Sequence, residues 1–441
     1  MTKKIVSLLL VCLLLTGCNQ TAVDRAGTTV SSSEEAQISV TENTTEATEN
    51  GTSATDSADT EESTTPVQPL PQPVSFWNPI CNEYISLFPS TESTEAFATI
   101  PRGATIGLVN WEGRFARVVW DGKVGYVYSN CLQPAESDYF AKHLKVLTPT
   151  TKYTYDQMYA DMGKLQALYP DLISLSTIGK SELMRDIPVM IVGNTDAKYH
   201  ILVQAAIHGR EHFTAWIAMA MMDSILKQGA LPSDVCYHII PMSNPDGVFI
   251  SQSGKLEERQ IQVYELDLDF GHTNSSTTEY ATQWKANACG EDINRNFMAG
   301  WDVSNERDEQ SAQKYRGETP FSASEARALR DYTLSRTFHA TISLHSHGSV
   351  LYYQYGTKQP VNRLSYSLAQ AVQGVTGYVP TAYDNTSGAG YKDWAMEELG
   401  IPSLTVEIGS AATPIPQQDI YNTFDRCRDM LPTVYKWVTQ N

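Results

Sequence analysis

The chain has 441 residues, of which 41% are hydrophobic and 19% are charged, and its formal net charge at pH 7 is −18. This length predicts two or three units and is ample for a sizeable core. The negative charge argues against a nucleic-acid partner, because such a partner needs a basic face. Much of the negative charge lies in residues 19–68, which contain ten acidic residues and one basic residue. The remainder is therefore only mildly acidic.

The N-terminus has the pattern of an export signal. Lys3 and Lys4 precede an apolar run at residues 5–15, which is too short for a comfortable membrane span. The run ends in Leu15-Thr16-Gly17-Cys18, which resembles the lipobox of bacterial lipoproteins. This resemblance implies that residues 1–17 are removed and that the Cys18 thiol is lipidated. The protein is then expected outside the cytoplasm, anchored to the membrane and facing the cell wall; an ordinary signal peptide is the alternative.

Residues 18–74 are rich in Thr, Ser, Glu and Ala and contain almost no large apolar side chain. Such a segment cannot bury enough apolar surface to offset its ordering entropy, so it is predicted to be disordered. We expect it to act as a tether between the membrane and the folded part.

Residues 75–135 contain several short strand-like runs separated by glycines. Asp121-Gly122 is a hairpin turn signal between two of these runs. The stretch Gly122-Lys-Val-Gly125-Tyr126-Val127 resembles a motif near the end of bacterial SH3 domains. The resemblance implies a small all-β SH3-like barrel that binds cell-wall peptide, with a purely structural barrel as the alternative.

Export makes disulfides possible. Once Cys12 is removed with the signal and Cys18 is lipidated, five cysteines remain: Cys81, Cys131, Cys236, Cys289 and Cys427. The sequence cannot fix their pairing, but Cys81 and Cys131 bracket the small β region and are the favoured pair. None of the cysteines has the sequence spacing of a metal site.

Residues 140–441 alternate apolar strand-like runs with helical stretches. Residues 213–228 predict a helix that stops at Gly229, and the strand-like runs are residues 189–193, 199–207, 235–241, 341–345 and 403–408. Strands that alternate with helices predict an α/β domain with a mainly parallel or mixed sheet.

Titratable residues lie at or just after the ends of three of these strands. His208 and Glu211 follow the strand at 199–207, His345 ends the strand at 341–345, and Glu407 is near the end of the strand at 403–408. The carboxyl ends of strands are where open α/β sheets bind their ligands. Two histidines and a glutamate suit a catalytic zinc with one position open to water. A further carboxylate, Glu407, would serve as general base on that water.

A second interpretation of this region is possible. His208, Glu211 and His212 match the inverted zincin motif, in which both histidines lie on one helix. Gly209 follows His208 directly and a predicted strand precedes it, so a regular helix at this point is not expected.

From about Tyr153 to the C-terminus, the chain resembles the zinc carboxypeptidases of the carboxypeptidase A type. Each motif alone is weak, but five occur in the family's order: His208-Gly-Arg-Glu211, Asn244-Pro-Asp-Gly247, Asp292-Ile-Asn-Arg-Asn-Phe297, Ser343-Leu-His345-Ser and Thr405-Val-Glu-Ile-Gly409. The resemblance implies a mixed eight-stranded sheet with helices on both faces, preceded by the SH3-like barrel.

The resemblance also assigns roles to residues. It implies one Zn²⁺ per chain held by His208, Glu211 and His345, with Glu407 as the catalytic glutamate. Asp292 resembles the acid that orients the first zinc histidine. The remaining assignments concern the substrate: Asn294 and Arg295 would bind its carboxylate, and Arg210 would be an accessory substrate-binding residue, with a surface salt bridge as the alternative role for Arg210.

Two departures from the family pattern are expected to matter. The family's oxyanion-stabilising arginine has no counterpart in the aligned stretch 283–287, where Lys285 could supply the charge without a bidentate fork. The family's mobile active-site tyrosine matches Tyr383 after a short insertion, and Tyr391 is the competing position.

Three segments, 284–287, 344–353 and 390–394, together resemble one branch, the γ-D-glutamyl-meso-diaminopimelate peptidases, which cut bacterial peptidoglycan stem peptides. The resemblance places Lys392 at the base of the specificity pocket, where it would favour the distal carboxylate of diaminopimelate. A solvated surface lysine is the alternative.

The sequence thus predicts an exported, lipid-anchored, monomeric zinc peptidase that acts on peptidoglycan stem peptides and does not bind nucleic acid. Two alternatives remain. The first is a general metallocarboxypeptidase that trims ordinary peptides from the C-terminus. The second is a catalytically inactive lipoprotein that binds the cell wall.

Overall fold

The computed structural model describes residues 69–81, 83–303, 307–382, 388–410 and 412–441. The predicted signal peptide, Cys18, most of the predicted tether and Tyr383 lie outside the described residues. Among those that are described, no helix combines the length and the apolar character needed to cross a membrane.

The first part of the described chain contains only strands and short turns. Its strands are β1 (Ser75–Pro79), β2 (Tyr84–Leu87), β3 (Ala98–Pro101), β4 (Ile106–Glu112), β5 (Phe115–Trp120), β6 (Lys123–Tyr128) and β7 (Leu132–Pro134). Five of them form an antiparallel sheet in the order β6-β5-β4-β1-β7, and β2 pairs with β3. Asp121 and Gly122 join β5 to β6 with φ angles of 48° and 71°, which is the hairpin geometry this dipeptide favours. An all-β N-terminal region is confirmed, and we call strands β1 to β7 the β region.

The predicted cysteine pair lies at one end of the β1–β7 ladder. The backbone N–H of Ile80 donates to the carbonyl of Cys131 at 2.9 Å, which brings the Cys81 and Cys131 segments side by side. Both cysteines are half-buried against the core of the β region. The pairing itself stays a prediction.

The remaining chain alternates helices and strands, as predicted. In order these are α1 (Tyr139–His143), α2 (Tyr155–Leu168), β8 (Ile173–Lys180), β9 (Asp186–Gly193), β10 (Tyr199–Ala205), α3 (Phe213–Gln228), β11 (Val235–Ile240), α4 (Pro245–Ser253), α5 (Glu258–Asp269), α6 (Thr277–Thr282), α7 (Ser324–Leu334), β12 (Ala340–Ser346), β13 (Val350–Tyr352), α8 (Gln359–Thr376), β14 (Val379–Thr381), α9 (Tyr391–Glu397), β15 (Ser403–Ile408), α10 (Ile420–Cys427) and α11 (Met430–Val438). Helix α3 has the predicted bounds and ends at Gly229, whose φ of 63° is left-handed.

Strands β8 to β15 form one eight-stranded sheet in the order β14-β13-β15-β12-β10-β11-β9-β8. Its centre is parallel, since β10 pairs with β11 and β12, and β12 pairs with β15. Strands β9, β8 and β13 join it antiparallel, so the sheet is mixed. The prediction of a mixed eight-stranded sheet is confirmed.

Helices cover both faces of this sheet. Ile201 and Val203 of β10 belong to one apolar cluster with residues of α3, α8 and α11, whereas the intervening Leu202 belongs to a second cluster with residues of α7 and α9. Alternate strand residues point to opposite faces, so both faces of β10 are buried. A strand buried on both sides is held firmly, and it positions the residues that follow it.

The β region is docked on α10 of the larger region. The buried guanidinium of Arg426 lies against the rings of Trp111 and Tyr378, 5.5 and 4.4 Å from their centroids. Its Nη2 donates to the carbonyl of Gly113 at 2.5 Å. Trp111 Nε1 in turn donates to Asp425 at 2.9 Å. The turn between β4 and β5 is thereby fixed to the larger region.

Candidate active site

The parallel pairing of β10, β12 and β15 brings three strand ends to one edge of the sheet. His208 follows β10, His345 lies near the end of β12, and Glu407 lies near the end of β15. Because the strands are adjacent and parallel, these ends face the same cleft. The predicted convergence of the three strand ends is what the structure shows.

The chain turns sharply between His208 and Glu211. His208 is still extended, with φ −98° and ψ 130°, and Gly209–Glu211 form one 3-10 turn before α3 starts at Phe213. A side chain at Gly209 would collide with the backbone of Gly247, so only glycine fits this close approach. The inverted zincin interpretation requires a regular helix here, and the observed strand and turn exclude it.

His208, Glu211 and His345 place their ligand atoms within 4.8 Å of one another, and all three are buried. The Nδ1 of His208 lies 2.8 Å from one carboxylate oxygen of Glu211, and the Nδ1 of His345 lies 3.1 Å from the other. Two imidazole nitrogens and a carboxylate that converge on one point fit a zinc ion, with a position left for water.

Asp292 sets the orientation of the first histidine. The Nε2 of His208 lies 3.2 Å from an Asp292 carboxylate oxygen, which also accepts the backbone N–H of Asn294. If Nε2 donates, the Nδ1 lone pair is left for a metal. Burial alone would raise the pKa of Asp292, but the neighbouring His208 holds it well below its usual value. The same balance of burial and His208 lowers the pKa of Glu211, so both acids are ionised.

Lys285 lies beside this group. Its Nζ is 3.7 Å from a carboxylate oxygen of Glu211, and its side chain is 22% exposed. Its carbonyl accepts the N–H of Gly209 at 3.0 Å and the Nδ2 of Asn244 at 3.1 Å. Lys285 is therefore held against the His208 turn from both its backbone and its side chain.

Asn244 has a positioning role that sequence reasoning missed. Its fully buried Nδ2 donates to the carbonyls of Ile207, Lys285 and Ala286 at 3.1, 3.1 and 2.9 Å. One side chain thus joins the segment before His208 to the segment that carries Lys285. The Asn-Pro-Asp-Gly motif was the available signal, but the sequence did not show what the asparagine contacts.

Glu407 lies on β15 directly opposite His345. Burial raises the pKa of Glu407 to about 7, the neighbouring His345 opposes that shift, and Glu211 adds to it. A carboxylate with a raised pKa beside a candidate metal centre is suited to accept and return a proton near neutral pH.

The predicted substrate-binding residues are next to Asp292 and Glu211 in the chain. Asn294 and Arg295 follow Asp292 in a short turn, and the Nη1 of Arg295 donates to the Asn294 carbonyl at 3.0 Å. The Nη1 of Arg210 donates to Gln283 at 2.9 Å, so the alternative of a surface salt bridge is replaced by a hydrogen bond to an amide. All three side chains stay partly accessible.

Tyr391 and Lys392 are both buried, which removes one of the roles considered for each of them. Tyr391 is fully buried, and its hydroxyl lies 3.0 Å from Thr333, so it is a core residue and not a mobile one. Tyr383 lies outside the described residues and stays a prediction. Lys392 is only 7% exposed, which overturns the alternative of a solvated surface lysine. Its Nζ donates to the Gln354 carbonyl at 2.8 Å and pairs with Asp393 at 2.5 Å.

Comparisons with known proteins agree with this geometry. A family model described as zinc carboxypeptidase matches residues 158–429. The chain is 32% identical over 278 residues to gamma-D-glutamyl-L-diamino acid endopeptidase 1 of Lysinibacillus sphaericus, covering 60% of this chain and 67% of that protein. It is 26% identical over 317 residues to carboxypeptidase B of Astacus astacus, covering 66% of this chain and 97% of the relative.

A solved structure supports the fold. Thrombin activatable fibrinolysis inhibitor matches with a TM-score of 0.54 and 17% identity, covering 73% of this chain and 90% of that one. At this identity the match shows the fold alone. With the family match over residues 158–429 and the His208, Glu211 and His345 group in place, the chain belongs to the zinc carboxypeptidase family and is a zinc-dependent peptidase.

Proposed function

We propose that this peptidase hydrolyses peptidoglycan stem peptides at the bond between γ-D-glutamate and meso-diaminopimelate. The observation that carries the proposal is the 32% identity to an enzyme named for gamma-D-glutamyl-L-diamino acid cleavage. The use of Lys285 where the resemblance leads us to expect an arginine is consistent with that branch of the family.

In the proposed reaction, His208, Glu211 and His345 would hold a zinc ion, which would supply Lewis acidity towards the attacking water and the scissile carbonyl. Glu407 accepts a proton from the water and passes it to the leaving amine. Lys285 places a positive charge where the carbonyl oxygen becomes negative. Asp292 keeps His208 in the tautomer that exposes Nδ1.

The substrate is held by carboxylate-binding side chains. Asn294 and Arg295 would bind one carboxylate of the stem peptide, and an arginine fork is well shaped for this. Arg210, at the rim, would assist. Lys392 would favour the distal carboxylate of diaminopimelate; because Asp393 already pairs with it, the substrate would have to share or displace that partner.

We also propose a cellular arrangement. Residues 1–17 form the signal peptide, residues 18–74 the tether lipidated at Cys18, residues 75–135 an SH3-like domain that binds the cell wall, and residues 140–441 the peptidase domain. The monomeric enzyme would face the wall from the membrane. The short all-β region and its hairpin support the SH3-like assignment.

The test is a digest of purified muropeptides, with products identified by mass spectrometry and Glu407→Gln as the matched control. We expect loss of diaminopimelate-containing fragments after D-glutamate, and no loss with the control. Cleavage of ordinary peptides with intact muropeptides would support a general carboxypeptidase instead. Bound zinc without turnover of any peptide would support an inactive wall-binding protein.

A further inference from the structure

A second cluster of metal-ligating side chains lies at the opposite end of the main sheet. It consists of His200 on β10 and Cys236 and His238 on β11, and one ligand atom from each lies within 4.8 Å of the others. His200 is directly opposite Cys236 in the parallel ladder, and His238 is two residues further along. Paired residues and residues two apart share one face of a sheet, so the strand pairing itself brings the three side chains together.

This cluster is separate from the catalytic group. His200 is near the start of β10, and about 16 Å of strand separate it from Ala205, given a rise of about 3.3 Å per residue. The chain continues beyond Ala205 before it reaches His208. The second cluster therefore lies near the start of β10 and the catalytic group lies beyond its end. The two groups share no residue.

The contacts within the cluster orient the ring nitrogens towards each other. The Nδ1 of His200 lies 3.0 Å from the Nε2 of His238, and the Nδ1 of His238 lies 2.7 Å from the hydroxyl of Tyr332. When Nδ1 of His238 donates to the Tyr332 oxygen, its Nε2 carries a lone pair directed at His200. A partner at Nδ1 that fixes the tautomer is the arrangement found behind metal-binding histidines.

The cluster of His200, Cys236 and His238 is accessible to solvent from one side. Cys236 and His238 are fully buried, whereas His200 is partly exposed. An ion could therefore reach the cluster past His200, and a water molecule on that side could complete a four-coordinate site. Burial raises the pKa of the Cys236 thiol to about 11, and the neighbouring Arg336, whose guanidinium lies 5.2 Å from the Tyr332 ring centroid, opposes that shift.

We propose that His200, Cys236 and His238 bind a second zinc ion. One thiolate and two imidazoles form a donor set that zinc accepts in proteins. On binding, the Cys236 thiol releases its proton to solvent and a sulfur–zinc bond forms. The ion bridges β10 and β11 at the end remote from the cleft, so its role is structural, and it stabilises the strand that leads to His208.

The test is zinc content by mass spectrometry of the purified full chain after equilibration with zinc and removal of excess metal. We expect two zinc ions per chain in the wild type and one in Cys236→Ser. His208→Ala should also retain one, because it loses the catalytic ion instead. The Cys236→Ser protein should keep the wild-type peptidase rate, which separates this site from the proposed reaction.

Two further measurements guard against misfolding and non-specific binding. Cobalt substitution should give the near-ultraviolet thiolate-to-cobalt charge-transfer band in the wild type and in His208→Ala, and not in Cys236→Ser. Cys236→Ala, which leaves a small apolar side chain, should behave like Cys236→Ser and show the wild-type circular dichroism. One zinc ion per wild-type chain, or equal zinc content and no thiolate band in all the folded proteins, would overturn the proposal.

Discussion

His345 and Glu407 lie directly opposite each other on the parallel strands β12 and β15. The backbone spacing of about 4.8 Å between paired strands therefore sets the separation between a zinc ligand and the proposed base. Both strands lie inside the eight-stranded sheet. Catalytic groups on such elements are held more firmly than groups on loops, which favours a pre-formed site.

The first prediction concerns this base. Glu407→Gln keeps the size of the side chain but cannot accept a proton, so we expect kcat to fall by about 10²- to 10⁴-fold. Zinc content should be unchanged, because Glu407 is not a ligand. Initial rates on a γ-D-glutamyl-diaminopimelate peptide, measured beside zinc content, check this. A variant that kept more than a tenth of the rate would mean that another group is the base.

The second prediction concerns Lys285. Replacement by methionine removes the positive charge 3.7 Å from Glu211, and we expect kcat to fall by about 10²- to 10³-fold, as for loss of an oxyanion donor. Lys285→Arg should retain much of the rate because it keeps the charge. The comparison is made by steady-state kinetics on one substrate. Equal rates for the methionine and arginine variants would argue that Lys285 has no electrostatic role.

The third prediction concerns Asp292. Asp292→Asn removes the charge behind His208, and we expect zinc affinity to fall by about 10- to 100-fold. Competition with a chelator measures the dissociation constant. Asp425→Asn is the matched control, because Asp425 contacts Trp111 of the β region and Tyr139 of α1 and not the zinc ligands. A similar loss of zinc affinity in both variants would indicate general destabilisation.

The fourth prediction concerns the docked β region. Trp111→Ala removes a buried ring that contacts Trp77 and Arg426, and we expect a loss of about 3–5 kcal/mol in the free energy of unfolding. Trp111→Phe keeps a ring but loses the hydrogen bond to Asp425, and should cost less. Urea unfolding followed by fluorescence and circular dichroism compares them. Wild-type stability of Trp111→Ala would show that the docking contributes little.

The fifth prediction concerns pH and Glu325. This buried residue accepts the N–H of Glu182 at 3.1 Å and the Nδ2 of Asn287 at 3.2 Å, and burial raises its pKa to about 8 from an ordinary 4.5. The folded state then holds a proton that the unfolded chain has lost. The stability from this group is complete below pH 4.5 and is lost as pH rises towards 8, by up to about 1.4 kcal/mol per pH unit.

Glu325→Gln does not ionise and should lack this slope. The free energies of unfolding of the variant and the wild type, measured from pH 5 to pH 8 at saturating zinc, should differ increasingly in the variant's favour as pH rises. Parallel curves would show that Glu325 is ionised in the folded protein throughout this range.

Local sequence patterns predicted much of the fold and the core of the candidate site. The glycine stop of α3 and the turn at Asp121 depend on residues adjacent in the chain, and strand-end positions placed His208, His345 and Glu407 together. Long-range contacts could not be predicted in this way. The buried Lys392, for example, donates to the carbonyl of Gln354, 38 residues earlier in the chain, in addition to pairing with the adjacent Asp393.

The clustering of Cys236 with His200 has the same origin. The cluster forms only because β10 pairs in register with β11. It therefore cannot be predicted from the spacing of cysteines and histidines along the chain. Likewise, nothing near Trp111 in the sequence indicates that Arg426 lies against its ring. Both features depend on which elements become neighbours in space.

The Arg426 and Trp111 contacts have a consequence for how the enzyme would select bonds in a polymer. Because the β4–β5 turn is fixed to α10, a cell-wall peptide bound by the β region, as proposed above, would lie at a constant distance and angle from the cleft. The enzyme would then cleave stem peptides at one fixed distance from the wall segment that the β region binds. A flexible joint would instead allow cuts at many offsets.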